Sequence, residues 1–147
     1  MSLIFSRSCE YALQAVIYLA RVEDGNPVHL RTISDAMSIP HHFLGKILQN
    51  LTKDDIVYST KGANGGFQLG RAASKIRLLE IVHSVDGPTS LDKCVMGYPE
   101  CVEDKPCPLH ESWKKSRETI MKMLRETTID QMTRGLDSKL AETVATH

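Results

Sequence analysis

Residues 30–53 read LRTISDAMSIPHHFLGKILQNLTK, and the spacing of their apolar side chains predicts two helices with a tight bend between them. Leu44, Ile47, Leu48 and Leu51 stand at i, i+3, i+4 and i+7, one buried stripe of a helix, while His41, His42, Lys46, Gln49, Asn50 and Lys53 fall on the opposite face. Before this helix, Leu30, Ile33, Ala36 and Met37 recur at helical spacing. Ser38-Ile39-Pro40 ends the shorter helix, because a residue preceding proline is pushed out of the helical region. Two short helices joined by a three-residue turn have the layout of a helix-turn-helix. The outward Lys, Gln, Asn and His side chains are able to donate hydrogen bonds to base edges and phosphates. The same pattern also suits a core helix with a solvated polar face, so the flanking segments decide its meaning.

Downstream, Ile56-Val57-Tyr58-Ser59-Thr60 reads as a strand, Lys61-Gly62-Ala63-Asn64-Gly65-Gly66 as a turn, and Phe67-Gln68-Leu69 as a returning strand. A glycine-rich loop can also cradle nucleotide phosphate. Here strands flank the loop on both sides, no Gly-Lys-Ser/Thr ends it and no helix begins at once, which excludes a P-loop or a dinucleotide fold. A hairpin directly after a recognition helix is a wing. Its glycines let the backbone approach phosphates, so Lys61, Gly62, Asn64 and Gly65 join the helix donors as candidate DNA contacts, with Arg71 just beyond. Upstream, residues 8–20 predict a helix apolar around most of its circumference, closed by the turn formers Glu23-Asp24-Gly25-Asn26-Pro27. The fold class is mainly α with a small β-hairpin: a winged helix-turn-helix domain over residues 1–85 followed by a long helix.

The chain has 147 residues, 41% of them hydrophobic and 5% aromatic, with 18 basic and 18 acidic side chains. Zero net charge argues against wholesale coating of nucleic acid but leaves room for a local basic face. Residues 41–77 carry Lys46, Lys53, Lys61, Arg71, Lys75 and Arg77 against Asp54 and Asp55, whereas residues 86–111 hold Asp86, Asp92, Glu100, Glu103, Asp104 and Glu111 against Lys93 and Lys105. The apolar run Tyr11–Ala20 is too short to span a bilayer and lacks a basic leader, so no membrane partner is expected and a cytoplasmic location follows.

Three of the four cysteines, Cys94, Cys101 and Cys107, crowd with His110 into one polar stretch, residues 86–110, rich in glycine and proline and without periodicity. In a reducing compartment such a set points to metal or redox chemistry, and a long loop without an apolar face needs something else to order it. Six residues separate Cys94 from Cys101 and five separate Cys101 from Cys107, unlike the Cys-x-x-Cys knuckles of most structural zinc sites. Zinc is therefore disfavoured, and on the residues alone an iron-sulfur cluster, structural zinc and free thiols all stay open. An electron carrier is a weaker reading, since no second cofactor motif or substrate pocket signature is present and the wing would have no purpose. Residues 111–126 predict a helix with Trp113, Ile120, Met121, Met123 and Leu124 apolar. Such an exposed stripe suits a two-fold dimer over residues 111–134, while the alternative is a helix folded back on its own domain. The polar tail, residues 135–147, has no assigned role.

The motif Pro40-His41-His42-Phe43-Leu44-Gly45-Lys46-Ile47-Leu48, the wing from Ser59 to Leu69 and the late three-cysteine loop together resemble the Rrf-type family of bacterial winged helix-turn-helix transcription regulators, in particular its IscR/NsrR-like iron-sulfur subgroup. The resemblance covers roughly residues 1–130. It implies a homodimer on palindromic double-stranded DNA operators and an iron-sulfur cluster, two-iron rather than four-iron, that controls binding. It also implies a fourth ligand: His110 matches the histidine position of IscR-like members, and Glu10 falls where others supply a carboxylate from the partner subunit. Both have plain readings too, His110 as a cap and Glu10 as a first-turn acid favoured by the helix dipole, and His110 is preferred as ligand. Gly45 departs from the pattern, standing where IscR-like members carry a base-reading glutamate, so operator sequence does not carry over.

Overall fold

The computed structural model describes residues 4–22, 24–87, 93–98 and 107–135. Helix α1 spans Arg7–Ala20, and the Ser6 hydroxyl caps it by accepting from the Cys9 N–H at 3.1 Å. Cys9, Ala12, Ala15, Val16, Ile17 and Leu19 are buried, so the helix runs through the domain, as expected of a helix apolar around most of its circumference. Helix α2 spans Leu30–Met37 and stops where Ser38 turns left-handed at φ 54°. Ile39 anchors the turn, 3% exposed, and its carbonyl accepts from the Ser34 hydroxyl. Helix α3, His41–Lys53, then buries the expected Leu44, Ile47, Leu48 and Leu51.

Strands β1 (Val57–Thr60) and β2 (Gly66–Leu69) pair antiparallel, with Val57 opposite Leu69 and Thr60 opposite Gly66. The expected strand began one residue earlier. Ile56 instead lies fully buried in the bend, where its N–H donates to the Leu51 carbonyl at 3.2 Å and its carbonyl accepts from Gly70 at 2.9 Å. The loop before α2 adds a bridge that the sequence did not announce. Val28 and Phe67 exchange two backbone hydrogen bonds of 2.8 Å, so the hairpin is tied to the root of α2. Gly66 is required there, since a Cβ would stand 2.3 Å from the Val28 carbonyl oxygen.

Helix α4 spans Leu78–Asp86 and α5 spans His110–Glu126, with residues 129–135 also helical. The end of α5 is stitched to the strand-like segment before α4: Leu78 N–H donates to the Thr127 carbonyl at 3.0 Å and Ile129 N–H to the Ile76 carbonyl at 2.9 Å. Leu124 and Ile129, both 0% exposed, thereby join Ile76, Ile81 and Val82 in one core with α1 and α3. The apolar stripe expected on α5 divides. Leu124 faces the chain's own core, Ile120 and Met121 lie partly buried against it, and Met123 stays 49% exposed.

Arg71, its side chain 32% exposed, is engaged by the chain itself. Its guanidinium donates to the Lys75 carbonyl at 3.1 Å and pairs with Glu80 at 2.9 Å, while Glu80 also accepts from the Arg77 N–H at 2.9 Å at the start of α4. Burial by itself would raise the Glu80 carboxyl; the Arg77 N–H and the Arg71 guanidinium outweigh it and hold the group below its usual value of 4.5. A depressed carboxyl contributes stability above pH 4.5 that is lost as pH falls through the folded value. Glu80→Gln is therefore expected to flatten the acid side of the stability curve. Urea unfolding at pH 7 and below pH 4.5 should show wild type losing more than the variant, by a modest margin because the side chain is 38% exposed. Equal losses would remove this role.

Candidate nucleic-acid interface and cysteine loop

The buried stripe of α3 leaves its other face to solvent. His41, His42, Lys46, Gln49, Asn50 and Lys53 are all exposed, and so are Lys61, Gly62 and Asn64 at the hairpin tip. Gly65 differs: it is buried, its N–H donates to the Gly62 carbonyl at 3.0 Å, and an added Cβ would lie 2.1 Å from the Thr60 carbonyl oxygen. It closes the turn that presents the others. Gly45, half-buried on α3, would bring a Cβ within 3.2 Å of Leu30 Cδ2, so it sits where α2 and α3 pack closely. Sequence reasoning overlooked His29, Arg31 and Thr32, exposed at the start of α2. The signal was available, because the first helix of a helix-turn-helix crosses the DNA backbone.

Two described parts of the cysteine loop converge on the first turn of α5. Before it, the Lys93 carbonyl accepts from the Trp113 indole N–H at 3.1 Å. Cys94 follows, 8% exposed, its carbonyl accepting from Gly97 at 2.9 Å and its sulfur from the Met96 N–H at 3.4 Å. After it, the half-buried Cys107 offers its carbonyl to the His110 N–H at 3.0 Å, and His110 itself is 6% exposed. A buried sulfur with a backbone N–H aimed at it and an imidazole at a helix N-terminus suit an anionic metal centre, whose charge such donors and the helix dipole stabilise. Cys101 lies outside the described residues, and among those described no group of three His, Cys, Asp or Glu is close enough to hold a metal ion. Glu10 is half-buried on the first turn of α1.

The loop is rooted at Asp86, the last residue of α4. Its carboxylate accepts from the Ser6 N–H at 3.0 Å and from the Ser6 hydroxyl, tying the loop's origin to the cap of α1. Burial, aided by the charge and hydrogen bond of Asp86 and by Glu10, pushes the Cys9 thiol up to about 12. Cys9 is thus a protonated core thiol, 0% exposed, and packs as a small buried hydrophobe. No helix among the described residues is long and apolar enough to cross a membrane.

This arrangement of elements is shared with proteins of known type. The Rrf2 model, described as iron-dependent transcriptional regulator, matches residues 5–135. An Aquifex aeolicus chain named for an HTH-type transcriptional regulator is 33% identical over 132 residues, 88% of this chain and 91% of that one. The HTH-type transcriptional regulator IscR of Xenorhabdus nematophila is 28% identical over 125 residues, 85% of this chain and 76% of its own. Among solved structures, CymR, the global cysteine regulator of B. subtilis, superposes with a TM-score of 0.79 at 26% identity, covering 92% of this chain and all of that one (100%). With the helix-turn-helix, the hairpin beside it and a family match over nearly the whole described chain, this protein belongs to the Rrf2 family of DNA-binding transcription regulators.

Proposed function

We propose that this regulator is a homodimer that reads double-stranded operator DNA through the outer face of α3 and the hairpin tip, and that a metal centre on the cysteine loop sets its affinity. His41, His42, Lys46, Gln49, Asn50 and Lys53 would supply the groove contacts; Lys61, Gly62 and Asn64 would supply wing contacts beside Gly65, with His29 and Arg31 extending the face of hydrogen-bond donors. Two such surfaces related by a two-fold axis meet half-sites about 34 Å apart, one DNA turn. A small change in their spacing then alters the binding free energy.

The observation that carries the sensor reading is the junction at the first turn of α5, where Trp113 holds the segment bearing Cys94 and His110 holds Cys107. Cys94, Cys101 and Cys107 with His110, or Glu10 of the partner subunit in its place, would hold an iron-sulfur cluster, two-iron in preference to four-iron. When bound, the cluster supplies one-electron redox chemistry and reactivity toward oxidants and nitric oxide. The chain's own part is to bind the two flanks of the loop to α4 and α5, so that ordering the loop fixes those helices relative to each other. The family's iron dependence supports iron over zinc. The same Cys3His donor set suits zinc equally well on charge and softness, which keeps a structural zinc site as the second reading.

Anaerobic purification decides between them. Iron with acid-labile sulfide and a visible absorbance that disappears in Cys101→Ala is the expected result, together with a change in DNA affinity of tenfold or more, roughly 1.4 kcal/mol, on removing the metal. One zinc per chain and a colourless protein would establish the structural site instead. Equal affinity with and without the metal at one salt concentration would end the sensor reading.

A further inference from the structure

We propose that Arg7, on α1 and outside the helix-turn-helix, is a DNA-phosphate contact that Tyr11 holds in place beside the recognition helix. The inference rests on the reading that α3 docks in the groove. Its basis is a stack of three side chains. The Arg7 guanidinium lies over the Tyr11 ring, 5.5 Å from its centroid, and Nε–H donates to the Tyr11 hydroxyl oxygen at 3.1 Å. The Tyr11 ring meets Phe43 edge-on, centroids 5.7 Å apart at 85°. Phe43 is on the first turn of α3, next to His42 and three residues before Lys46, and it is 37% exposed. The stack therefore ends at the part of a recognition helix whose side chains meet base edges.

Placement and charge point the same way. The contacts of 5.5 Å and 5.7 Å in series keep the guanidinium within one major-groove width, about 12 Å, of the Phe43 ring. An exposed cation within that distance of a helix lying in the groove is in reach of the phosphates that flank the groove. Arg7 is exposed, and a guanidinium carries five N–H donors, of which the tyrosine hydroxyl takes one. Among the described residues no carboxylate pairs with it. Arg7 is also the first residue of α1, the positive end of the helix dipole, where a cation is locally disfavoured. A side chain that breaks a local rule while being stacked into a fixed position fits an external anion. The tyrosine and phenylalanine restrict the arginine before DNA arrives, so less side-chain freedom is lost on binding.

The test uses the full chain and a duplex selected by wild-type protein from a random pool, titrated across a range of salt. Arg7→Gln is expected to lower affinity roughly 5- to 20-fold near 0.1 M salt and to make the log–log salt dependence shallower by about 0.9 per chain. The sequence it selects from the pool should be that of wild type, because a phosphate contact carries no base information. Arg7→Lys should restore most of the salt dependence. The slope is independent of the fraction of active protein, so partial misfolding does not imitate the result. An Arg7→Gln slope equal to wild type, or an altered selected sequence, overturns the assignment. Lys46→Glu in the same titration separates the two levels. Should it bind as wild type does, the docking of α3 falls and Arg7 with it; should it fail to bind while Arg7→Gln is unchanged, only the Arg7 contact falls.

Discussion

Lys46→Glu is expected to reduce affinity for duplex DNA by about 100-fold or more at moderate salt while leaving the thermal midpoint close to that of wild type. Lys46 is exposed on α3, and the stripe that holds the helix in place, Leu44, Ile47, Leu48 and Leu51, is on the other side. The substitution therefore leaves the packing intact and, in the proposed dimer on DNA, would replace attraction to phosphate by repulsion in each subunit. Surface changes away from packed features usually alter stability by no more than about 0.5 kcal/mol. Fluorescence anisotropy with a selected duplex, beside a circular dichroism melt, reads both quantities. Binding within a factor of about three of wild type would show that this face of α3 does not dock on DNA.

Leu124→Ala is expected to lower the unfolding free energy by about 2–5 kcal/mol, the range for emptying a buried leucine site. Leu124 is 0% exposed, and the backbone bonds from Leu78 to Thr127 and from Ile129 to Ile76 hold its helix end so that the site cannot readily collapse. Its neighbour Met123, 49% exposed, supplies the contrast. Met123→Ala should change the stability of a single chain little and should weaken association if α5 helices meet in a dimer. Urea unfolding at two protein concentrations separates the effects. A Leu124→Ala cost below about 1 kcal/mol would mean that α5 is not docked on its own domain.

These two residues, adjacent in sequence but about 100° apart around the axis of α5, face core and solvent respectively, and they show where sequence reading succeeds and where it stops. The stripe of α3 was legible because a 3.6-residue period admits one buried face, and the hairpin was legible because Gly65 and Gly66 lie between runs of strand-forming residues. Arg71 was placed with the cations beside the wing, and only the fold reveals that Lys75 and Glu80 occupy it. Arg7 carried no motif, since its meaning depends on Tyr11 and Phe43 meeting across two helices. The ligand set was legible as a cluster of residue types; what anchors its flanks, Trp113 on Lys93 and Asp86 on Ser6, was not.

By itself the sequence determined α1, α2, α3 and α5, the bend at Ser38-Ile39-Pro40, the hairpin and the donor types on the outer face of α3, because these follow from local backbone preference and from the period of apolar residues. Tertiary structure alone decided that α5 returns to the core through Leu124 and Ile129, that Val28 pairs with Phe67, and which arginines remain available to a partner. Those outcomes depend on contacts between residues far apart in the chain, whose energies arise only when the elements pack and which no local period encodes.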